Sequence, residues 1–395
     1  MSGGRLPIIL ALGTTQTLAW ASSMYLPAIL ADPIAHDLGI SSNWVFAAFS
    51  AALLLAALLG PRIGRQIDLV GGRSVLSISN LVLAAGLTLL GLTTSIPLLV
   101  IAWLLLGVGM GYGLYDAAFA ALGRIYGDTA RGAITGITLM AGFASTIGWP
   151  LSAWGLHTIG WRETCFAWAA AHILIGLPIN WWMLPPVGGV KAAVATPVKP
   201  HIPIDRTMIL LAFAFAAAWS VTGAMAAHLP RIVEAAGATT AQAVFAGAMI
   251  GPAQVIARIA EASFLKRYHP LISTRLACLM HPIGAAILAL AGGGAASVFA
   301  IFHGAGNGIL TIARGTLPLA IFGPENYGYR LGLIGAPARM AQAVAPLAFG
   351  LLIDAIGSRI LIVSSALSLA ALLALCMLKP DAKADGEPID LPPLD

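Results

Sequence analysis

Apolar residues fill most of this chain in stretches of about 20, with short polar breaks between them. A helix of that length spans the hydrocarbon core of a lipid bilayer. The pattern therefore predicts a bundle of membrane-spanning helices. The predicted helices, numbered 1 to 12, cover residues 6–30, 43–66, 74–94, 97–122, 132–158 and 163–184, and then 207–230, 239–265, 274–292, 296–322, 331–353 and 359–378.

One long polar interruption divides these predicted helices into two sets of six. It combines paired prolines, paired glycines and several basic residues. The end of the chain is acidic and proline-rich, which is typical of a disordered segment. We therefore expect an N-terminal six-helix bundle over 1–184, a cytoplasmic linker over 185–206, a C-terminal six-helix bundle over 207–380 and a disordered cytoplasmic tail over 381–395.

The composition excludes an ordinary soluble protein. Hydrophobic residues make up 59% of the chain, charged residues only 9%, and the mean hydropathy is +0.89. A soluble domain carries about 25% charged residues, so lipid is the expected solvent. The basic residues lie at segment ends rather than on one polar face, which argues against nucleic-acid binding. The three cysteines are far apart, so we expect neither a metal site nor a disulfide framework.

The positions of lysine and arginine predict the orientation in the membrane. If the N-terminus is cytoplasmic, the opposite loops carry only Arg162, Arg231 and Arg359, and most other basic residues lie on the cytoplasmic side. The positive-inside rule then places both termini in the cytoplasm. We expect a multi-pass protein of a bacterial inner membrane.

Internal repeats support a division into two related halves. Residues 64–68 at the end of helix 2 are echoed by residues 257–261 at the end of helix 8. The glycine-rich residues 107–111 of helix 4 are echoed by residues 304–308 of helix 10, at nearly the same offset. Duplication of a six-helix unit is the simplest account.

Residues 64–73, Gly-Arg-Gln-Ile-Asp-Leu-Val-Gly-Gly-Arg, resemble the signature between helices 2 and 3 of the major facilitator superfamily. The resemblance implies an all-α polytopic membrane protein with twelve transmembrane helices in two pseudo-symmetric six-helix bundles. It also implies secondary transport by alternating access. Gly72 stands where the family usually has a basic residue, and Trp103 stands where many relatives have an arginine implicated in proton coupling. Proton coupling therefore does not follow from the resemblance.

Residues at the cytoplasmic ends of helices 2 and 8 are predicted to form a conformational latch. Asp68 can accept backbone N–H groups from the start of a neighbouring helix, or it can pair with Arg73. Gly64 permits close approach of another helix. In the second half, Arg258 and Glu261 are expected to pair with each other. The alternative is that these charges only fix the topology.

Three ionisable residues, Asp116, Arg314 and Arg339, fall inside predicted spans, where charge is costly and marks candidate functional sites. We expect Asp116 to pair with Arg314 or Arg339 when the cytoplasmic side is closed. Binding of substrate or a proton would then loosen this gate. A permanent structural ion pair is the alternative. Two arginines against one carboxylate favour a small organic anion as substrate, because guanidinium groups bind carboxylates bidentately.

Aromatic and amide side chains complete the predicted pocket. Asn307 precedes Arg314 by seven residues, which places both on one face of helix 10. For each tryptophan, packing or an interfacial position is the alternative. The predicted substrate-binding residues are Trp20, Tyr25, Tyr112, Asn307, Arg314 and Arg339.

The sequence thus predicts a secondary active or facilitative transporter of a small organic solute, with an organic anion favoured, working by rocker-switch alternating access. It is expected to be a monomer without cofactors and without enzyme activity. Proton coupling stays open, with Asp116 as the candidate carrier. The alternative function is export of drugs, toxic compounds or metalloids by proton antiport. Substrate identity, direction and coupling ion do not follow from the sequence.

Overall fold

The computed structural model describes residues 5–186, 202–265 and 267–379, and these residues form helices joined by short connections. This agrees with the all-α prediction. Most of the predicted linker (187–201) and the predicted tail lie outside the described residues, so those predictions are untested.

The predicted helices of the first half are mostly broken, whereas each predicted helix of the second half corresponds to one long helix. The first half contains α1 (Arg5–Ala19), α2 (Pro27–Asp37), α3 (Ser42–Val70), α4 (Gly72–Gly91), α5 (Ile96–Gly113), α6 (Tyr115–Tyr126), α7 (Arg131–Ala141), α8 (Ala144–Thr158), α9 (Trp161–Ala171) and α10 (Leu177–Met183). The second half contains α11 (Arg206–Ala235), α12 (Thr240–Ala260), α13 (Pro270–Ala291), α14 (Ala296–Phe322), α15 (Tyr327–Ile356) and α16 (Ile360–Cys376).

Eight helical stretches in the described part of the chain are long and apolar enough to cross a membrane. Three of them run through more than one of these α-helices: Ile96–Thr158, Trp161–Met183 and Pro270–Phe322. The structure is therefore that of a multi-pass membrane protein, and the count of twelve crossings stays a prediction.

Predicted helix 4 is two helices rather than one. Leu114 adopts an extended conformation, with ψ −174°, so α5 ends at Gly113 and α6 begins at Tyr115. The Gly113 carbonyl freed by the break accepts a hydrogen bond from Gln16 Nε2 at 2.5 Å. A membrane protein tolerates such a break only where the freed backbone groups find partners. Asp116 consequently lies in the first turn of α6, where the helix dipole stabilises a carboxylate, and not in mid-helix as predicted.

Predicted helix 1 is also interrupted. A π-helical turn covers Trp20–Met24, and the chain continues as α2 from Pro27 to Asp37, beyond the predicted end at residue 30. Proline fits the first turn of a helix because its missing N–H group needs no partner there. Trp20 is the first residue of this turn, and Tyr25 follows it directly.

The two halves share one apolar core at one end of the bundle. Phe119 of α6 and Ile134 of α7 belong to the same buried cluster as Tyr327 and Leu331 of α15. Under the predicted topology this end is the cytoplasmic one. The structure therefore has its two halves packed together at this end of the bundle.

Candidate functional site

Asp116 lies between two arginines from the other half of the chain. Its Oδ2 accepts a hydrogen bond from Arg314 Nη2 at 2.7 Å and another from Arg339 Nη2. The exposed fractions of the Asp116, Arg314 and Arg339 side chains are 9%, 8% and 11%. The sequence predicted pairing with one arginine, and the structure brings both to the carboxylate. The buried cluster therefore carries one net positive charge.

Each arginine also has a second contact: Arg314 contacts a residue of its own half, and Arg339 contacts α3 of the first half. The Arg314 guanidinium lies over the Trp219 ring, 4.9 Å from its centroid. Arg339 Nη1 donates to the Ala56 carbonyl at 3.0 Å. Gly335 leaves room for the cluster, because a Cβ there would meet Arg314 Nη2 and Asp116 Oδ2 at 3.0 Å.

The second carboxylate oxygen of Asp116, Oδ1, is buried and has no hydrogen-bond partner among the described residues. A carboxylate oxygen in this position can take a proton or accept from a ligand. The arrangement thus combines a fixed ion pair with one unused acceptor.

Asp68 caps the first turn of α15. Its Oδ1 accepts from the Gly328 N–H at 2.9 Å, and its Oδ2 accepts from the Tyr329 N–H at 2.8 Å. This is the first of the two arrangements that the sequence allowed. The second does not occur, because the Arg73 guanidinium lies over the Trp181 ring at 4.6 Å from its centroid.

Glycines allow the α3 and α15 backbones to touch. A Cβ on Gly64 would overlap the Gly328 carbonyl, and a Cβ on Gly332 would meet the backbone of Gly60. Each helix therefore presents a Gly-x-x-x-Gly pair to the other, the pattern that permits close helix packing in membranes. The sequence predicted this role for Gly64 and missed the glycines of α15.

The predicted pairing of Arg258 with Glu261 is wrong. Glu261 Oε1 accepts from Arg131 Nη2 at 2.7 Å, across the boundary between the halves. Arg258 Nη1 donates to the Thr138 carbonyl at 2.8 Å. The prediction assumed a regular helix, but α12 ends one residue before Glu261 and a π-helical turn follows. The wider turn changes the angle between side chains three residues apart.

Arg131, the first residue of α7, is one of the basic residues that the sequence placed on the cytoplasmic side without a further role. Predicted helices 5 and 11 occupy the same position in the two six-helix halves. The start of α7 in the first half is therefore equivalent to the start of α15 in the second. That correspondence could have pointed to Arg131 as the partner of the helix 8 carboxylate.

Two of the three predicted aromatic residues, Trp20 and Tyr112, pack against the apolar cluster that both halves share. Trp20 packs on Tyr25, with ring centroids 6.0 Å apart, and on Tyr115 at 4.8 Å. Tyr112 is partly buried against the apolar cluster that includes Phe119. Tyr115 was not among the predicted binding residues, and the break before α6 explains its position.

Asn307 lies at a small cavity inside the second half. Its Oδ1 accepts from Thr222 Oγ1 at 2.9 Å. His281 and His303 line the same cavity, and their Nδ1 atoms are 3.1 Å apart. The structure thus places Asn307 in a polar cluster within one bundle.

A sequence model described as "Major Facilitator Superfamily" matches residues 12–302. The chain belongs to this superfamily. Its members are membrane transporters, so the predicted transporter class and fold are confirmed.

Two solved structures of superfamily members have the same fold. The human organic anion transporter MFSD10 (TETRAN) aligns with a TM-score of 0.73 and 15% identity, covering 95% of this chain and 98% of that one. The proton:xylose symporter XylE bound to 6-bromo-6-deoxy-D-glucose aligns with a TM-score of 0.71 and 13% identity, covering 95% of each chain.

A curated relative from Mus musculus, "Solute carrier family 2, facilitated glucose transporter member 10", is 35% identical over 136 residues. The match spans 31% of this chain and 23% of that relative, which is less than a quarter of its length.

Proposed function

We propose that this superfamily member moves a small organic anion across the membrane by rocker-switch alternating access. The observation that carries the proposal is the buried cluster of Asp116, Arg314 and Arg339, which joins the two halves and has one net positive charge. A buried net charge is unfavourable in a membrane protein unless a partner compensates it. An anionic substrate would supply that compensation.

The cluster also suggests how binding would favour opening. Asp116 holds Arg314 and Arg339 to the first half in the packed state. An anion that approaches these arginines offers them a second acceptor, so it weakens their hold on Asp116. A ligand shifts a conformational equilibrium only through such a difference in affinity between two states. The halves expected to move are residues 1–184 and 207–380.

The test is flux into liposomes that contain the purified full-length protein. Benzoate, succinate and tetraphenylphosphonium are offered with and without a pH gradient. We expect uptake of an anion. Uptake of the lipophilic cation alone would overturn the proposal and favour the exporter alternative.

Asp116→Asn is the decisive variant. We expect it to stop net uptake while the protein still elutes as a folded species, because a neutral amide holds two buried guanidinium groups poorly. Asp37→Asn is the matched control, since Asp37 forms a half-exposed pair with Arg162 away from the cluster. Full activity of Asp116→Asn would contradict the gate.

Substrate exchange separates the two roles proposed for Asp116. If Asp116→Asn loses pH-driven uptake and retains exchange, Asp116 carries the coupling proton on the acceptor that is unused in the structure. If exchange is lost as well, Asp116 acts as the gate alone. Its position at the start of α6 fits both roles.

We further place the protein in a bacterial inner membrane as a monomer, with both termini in the cytoplasm. The asymmetry of lysine and arginine between the loops supports this orientation. Tags at each terminus should resist protease added outside intact cells, and cleavage of either tag would reverse the orientation.

A further inference from the structure

The break before α6 leaves two backbone N–H groups at a helix start within an apolar span. The N-cap residue, Leu114, has no side chain that can accept from them. Hydrogen bonds at this end begin with the N–H groups of Ala117 and Ala118, which both donate to the Leu114 carbonyl. The N–H groups of Tyr115 and Asp116 therefore lack an acceptor among the described residues. Lipid offers them none.

The break distinguishes the first half from the second. The glycine-rich residues 107–111 precede it, but their counterparts at 304–308 lie inside the continuous helix α14. A few residues beyond those glycines, Thr311 Oγ1 donates to the Asn307 carbonyl at 2.8 Å within an unbroken helix. In transporters built from repeats, discontinuous helices form binding sites near the middle of the membrane. The break is therefore a candidate for substrate contact.

Gln16 of α1 has an unused acceptor beside the break. Its residue is 1% exposed, and its Nε2 donates to the Gly113 carbonyl at 2.5 Å. Because a carbonyl oxygen can only accept, the amide nitrogen must be the atom that faces Gly113. The amide oxygen, Oε1, is buried and has no hydrogen-bond partner among the described residues. The contact with Gly113 thus fixes Oε1 as the free end of the amide.

Trp20 has an unused donor at the same place. It follows Gln16 by four residues, which places both side chains on one face of helix 1. Its ring lies 4.8 Å from the Tyr115 ring, and it packs against both the cluster that contains Leu114 and the cluster that contains Tyr115. Its Nε1 is buried without a hydrogen-bond partner in the part of the chain that the structure describes. Gln16 and Trp20 therefore contact the two sides of the break, through Gly113 and Tyr115.

These unused groups specify the chemistry of a ligand. Gln16 Oε1 needs a donor, whereas Trp20 Nε1 and the N–H groups at the start of α6 need acceptors. A hydroxyl group has one donor and two acceptor lone pairs, so it can satisfy both kinds. A carboxylate oxygen cannot donate to Gln16, and an ammonium group cannot accept from Trp20. The set therefore matches a hydroxyl group.

The break also adjoins the arginine cluster. Asp116, which accepts from Arg314 and Arg339, follows Gly113 by three residues. Three residues of chain span at most about 11 Å. One small molecule can therefore place a carboxylate at the arginines and another polar group at the break.

We propose that Gln16 and Trp20, together with the first turn of α6, bind a hydroxyl group of the substrate, which is a hydroxylated organic acid. This inference rests on the proposed function, because it names the substrate class. The carboxylate binds Arg314 and Arg339, while the hydroxyl group donates to Gln16 Oε1 and accepts from Trp20 Nε1. An acid without a hydroxyl group leaves these buried groups unpaired, which lowers its affinity.

The test is equilibrium binding to the purified full-length protein by isothermal titration calorimetry. Gluconate and hexanoate are monocarboxylates with carbon chains of equal length, but gluconate carries a hydroxyl group on every carbon beyond the carboxylate. We expect gluconate to bind more tightly by roughly tenfold, because it pairs two buried groups that hexanoate leaves unpaired. Equal affinities, a preference for hexanoate or no binding of either acid would overturn the inference.

Trp20→Phe keeps an aromatic ring and removes the N–H group. It should weaken gluconate binding by roughly fivefold and leave hexanoate binding unchanged. Trp168→Phe is the matched control, because Trp168 Nε1 already donates to Ser152 Oγ at 3.1 Å. It should bind gluconate as the unaltered protein does. An equal loss of both acids in Trp20→Phe would overturn the inference, since Trp20 would then act through packing alone.

Gln16→Met removes the acceptor and should weaken gluconate binding by roughly tenfold. It also removes the hydrogen bond to Gly113, so Trp20→Phe carries the test if Gln16→Met does not fold. Unchanged gluconate affinity in a folded Gln16→Met protein would overturn the inference.

Glucitol, which has a hydroxymethyl group in place of the carboxylate of gluconate, separates this inference from the proposed function. Gluconate flux that is insensitive to Trp20→Phe and Gln16→Met would leave the proposed function intact and remove the hydroxyl site. Binding of glucitol that depends on Trp20 and is as tight as that of gluconate would leave the hydroxyl site intact and remove the anionic substrate.

Discussion

The two halves meet through two corresponding contacts that use different donors. In the first contact, between α3 and α15, Asp68 accepts from the backbone N–H groups of Gly328 and Tyr329. In the second contact, between the end of α12 and the start of α7, Glu261 accepts from the guanidinium of Arg131. In both, a carboxylate at the end of one helix meets the beginning of a helix from the other half.

Because one contact uses backbone donors and the other a side-chain donor, different changes should weaken them. Backbone N–H groups of a helix start are already ordered, so Asp68 fixes them at little cost in conformational entropy. The contact does require the glycines that let α3 and α15 touch. Arg131 is 23% exposed, and its long side chain must be ordered on binding. The first contact therefore depends mainly on the close packing of α3 against α15, and the second depends mainly on the ion pair.

Gly64→Ala should have the largest effect, because the added methyl group overlaps the Gly328 carbonyl and must push α3 and α15 apart. Overpacking costs about 1–3 kcal/mol, which corresponds to a loss of the packed state by a factor of roughly 5 to 150. Hydrogen exchange of a peptide that covers the first turn of α15 measures this loss, and liposome uptake should fall with it.

Gly132→Ala on α7 is the control for Gly64→Ala. A Cβ on Gly132 meets no atom within 4 Å, so exchange and uptake should match the unaltered protein. Equal behaviour of the two variants would mean that the glycines of the α3–α15 contact have no part in packing.

Asp68→Asn should have the next largest effect. The amide oxygen can still accept, but the charge that strengthens both hydrogen bonds is lost. We expect roughly tenfold faster exchange of the Gly328 and Tyr329 amide hydrogens, from about 1.4 kcal/mol of lost stabilisation. Asp128→Asn, at an exposed position after α6, is the control. Unchanged exchange in Asp68→Asn would show that the cap does not hold α15.

The apolar pattern predicted the helices well where one helix fills one span. Each helix from α11 to α16 overlaps one predicted segment, because an uninterrupted run of apolar residues is sufficient to specify it. The break at Leu114 was not predictable in this way. The glycine-rich pattern that precedes it is repeated at residues 304–308 inside the continuous helix α14, so glycines do not mark the break. The freed Gly113 carbonyl is satisfied by Gln16 from another helix.

The candidate site likewise contains residues that could be predicted from the sequence and a contact that could not. Asp116 and its two arginines stand out in the sequence, since a charge in an apolar segment needs a partner and few are present. The partner of Glu261 did not stand out. Spacing favoured Arg258, three residues earlier, and the π-helical turn that redirects Glu261 toward Arg131 leaves no signal in the residue pattern.

Glu261→Gln should have the smallest effect of the three. Arg131 keeps its hydrogen bonds to the Tyr268 carbonyl at 2.8 Å and the Leu265 carbonyl at 3.3 Å, and it can reach water. We expect exchange in the first turn of α7 to rise only about two- to fivefold, because a partly exposed ion pair contributes about 0.5–1 kcal/mol.

The salt dependence of hydrogen exchange is the most specific test of Glu261→Gln. High salt screens exposed charges, so it should speed exchange at the start of α7 in the unaltered protein and change little in Glu261→Gln. Exchange at the start of α15 should stay constant in both, since Asp68 holds backbone groups inside the contact. A larger effect of Glu261→Gln than of Asp68→Asn would reverse the comparison, because the charge-dependent contact would then be the one that holds the halves together.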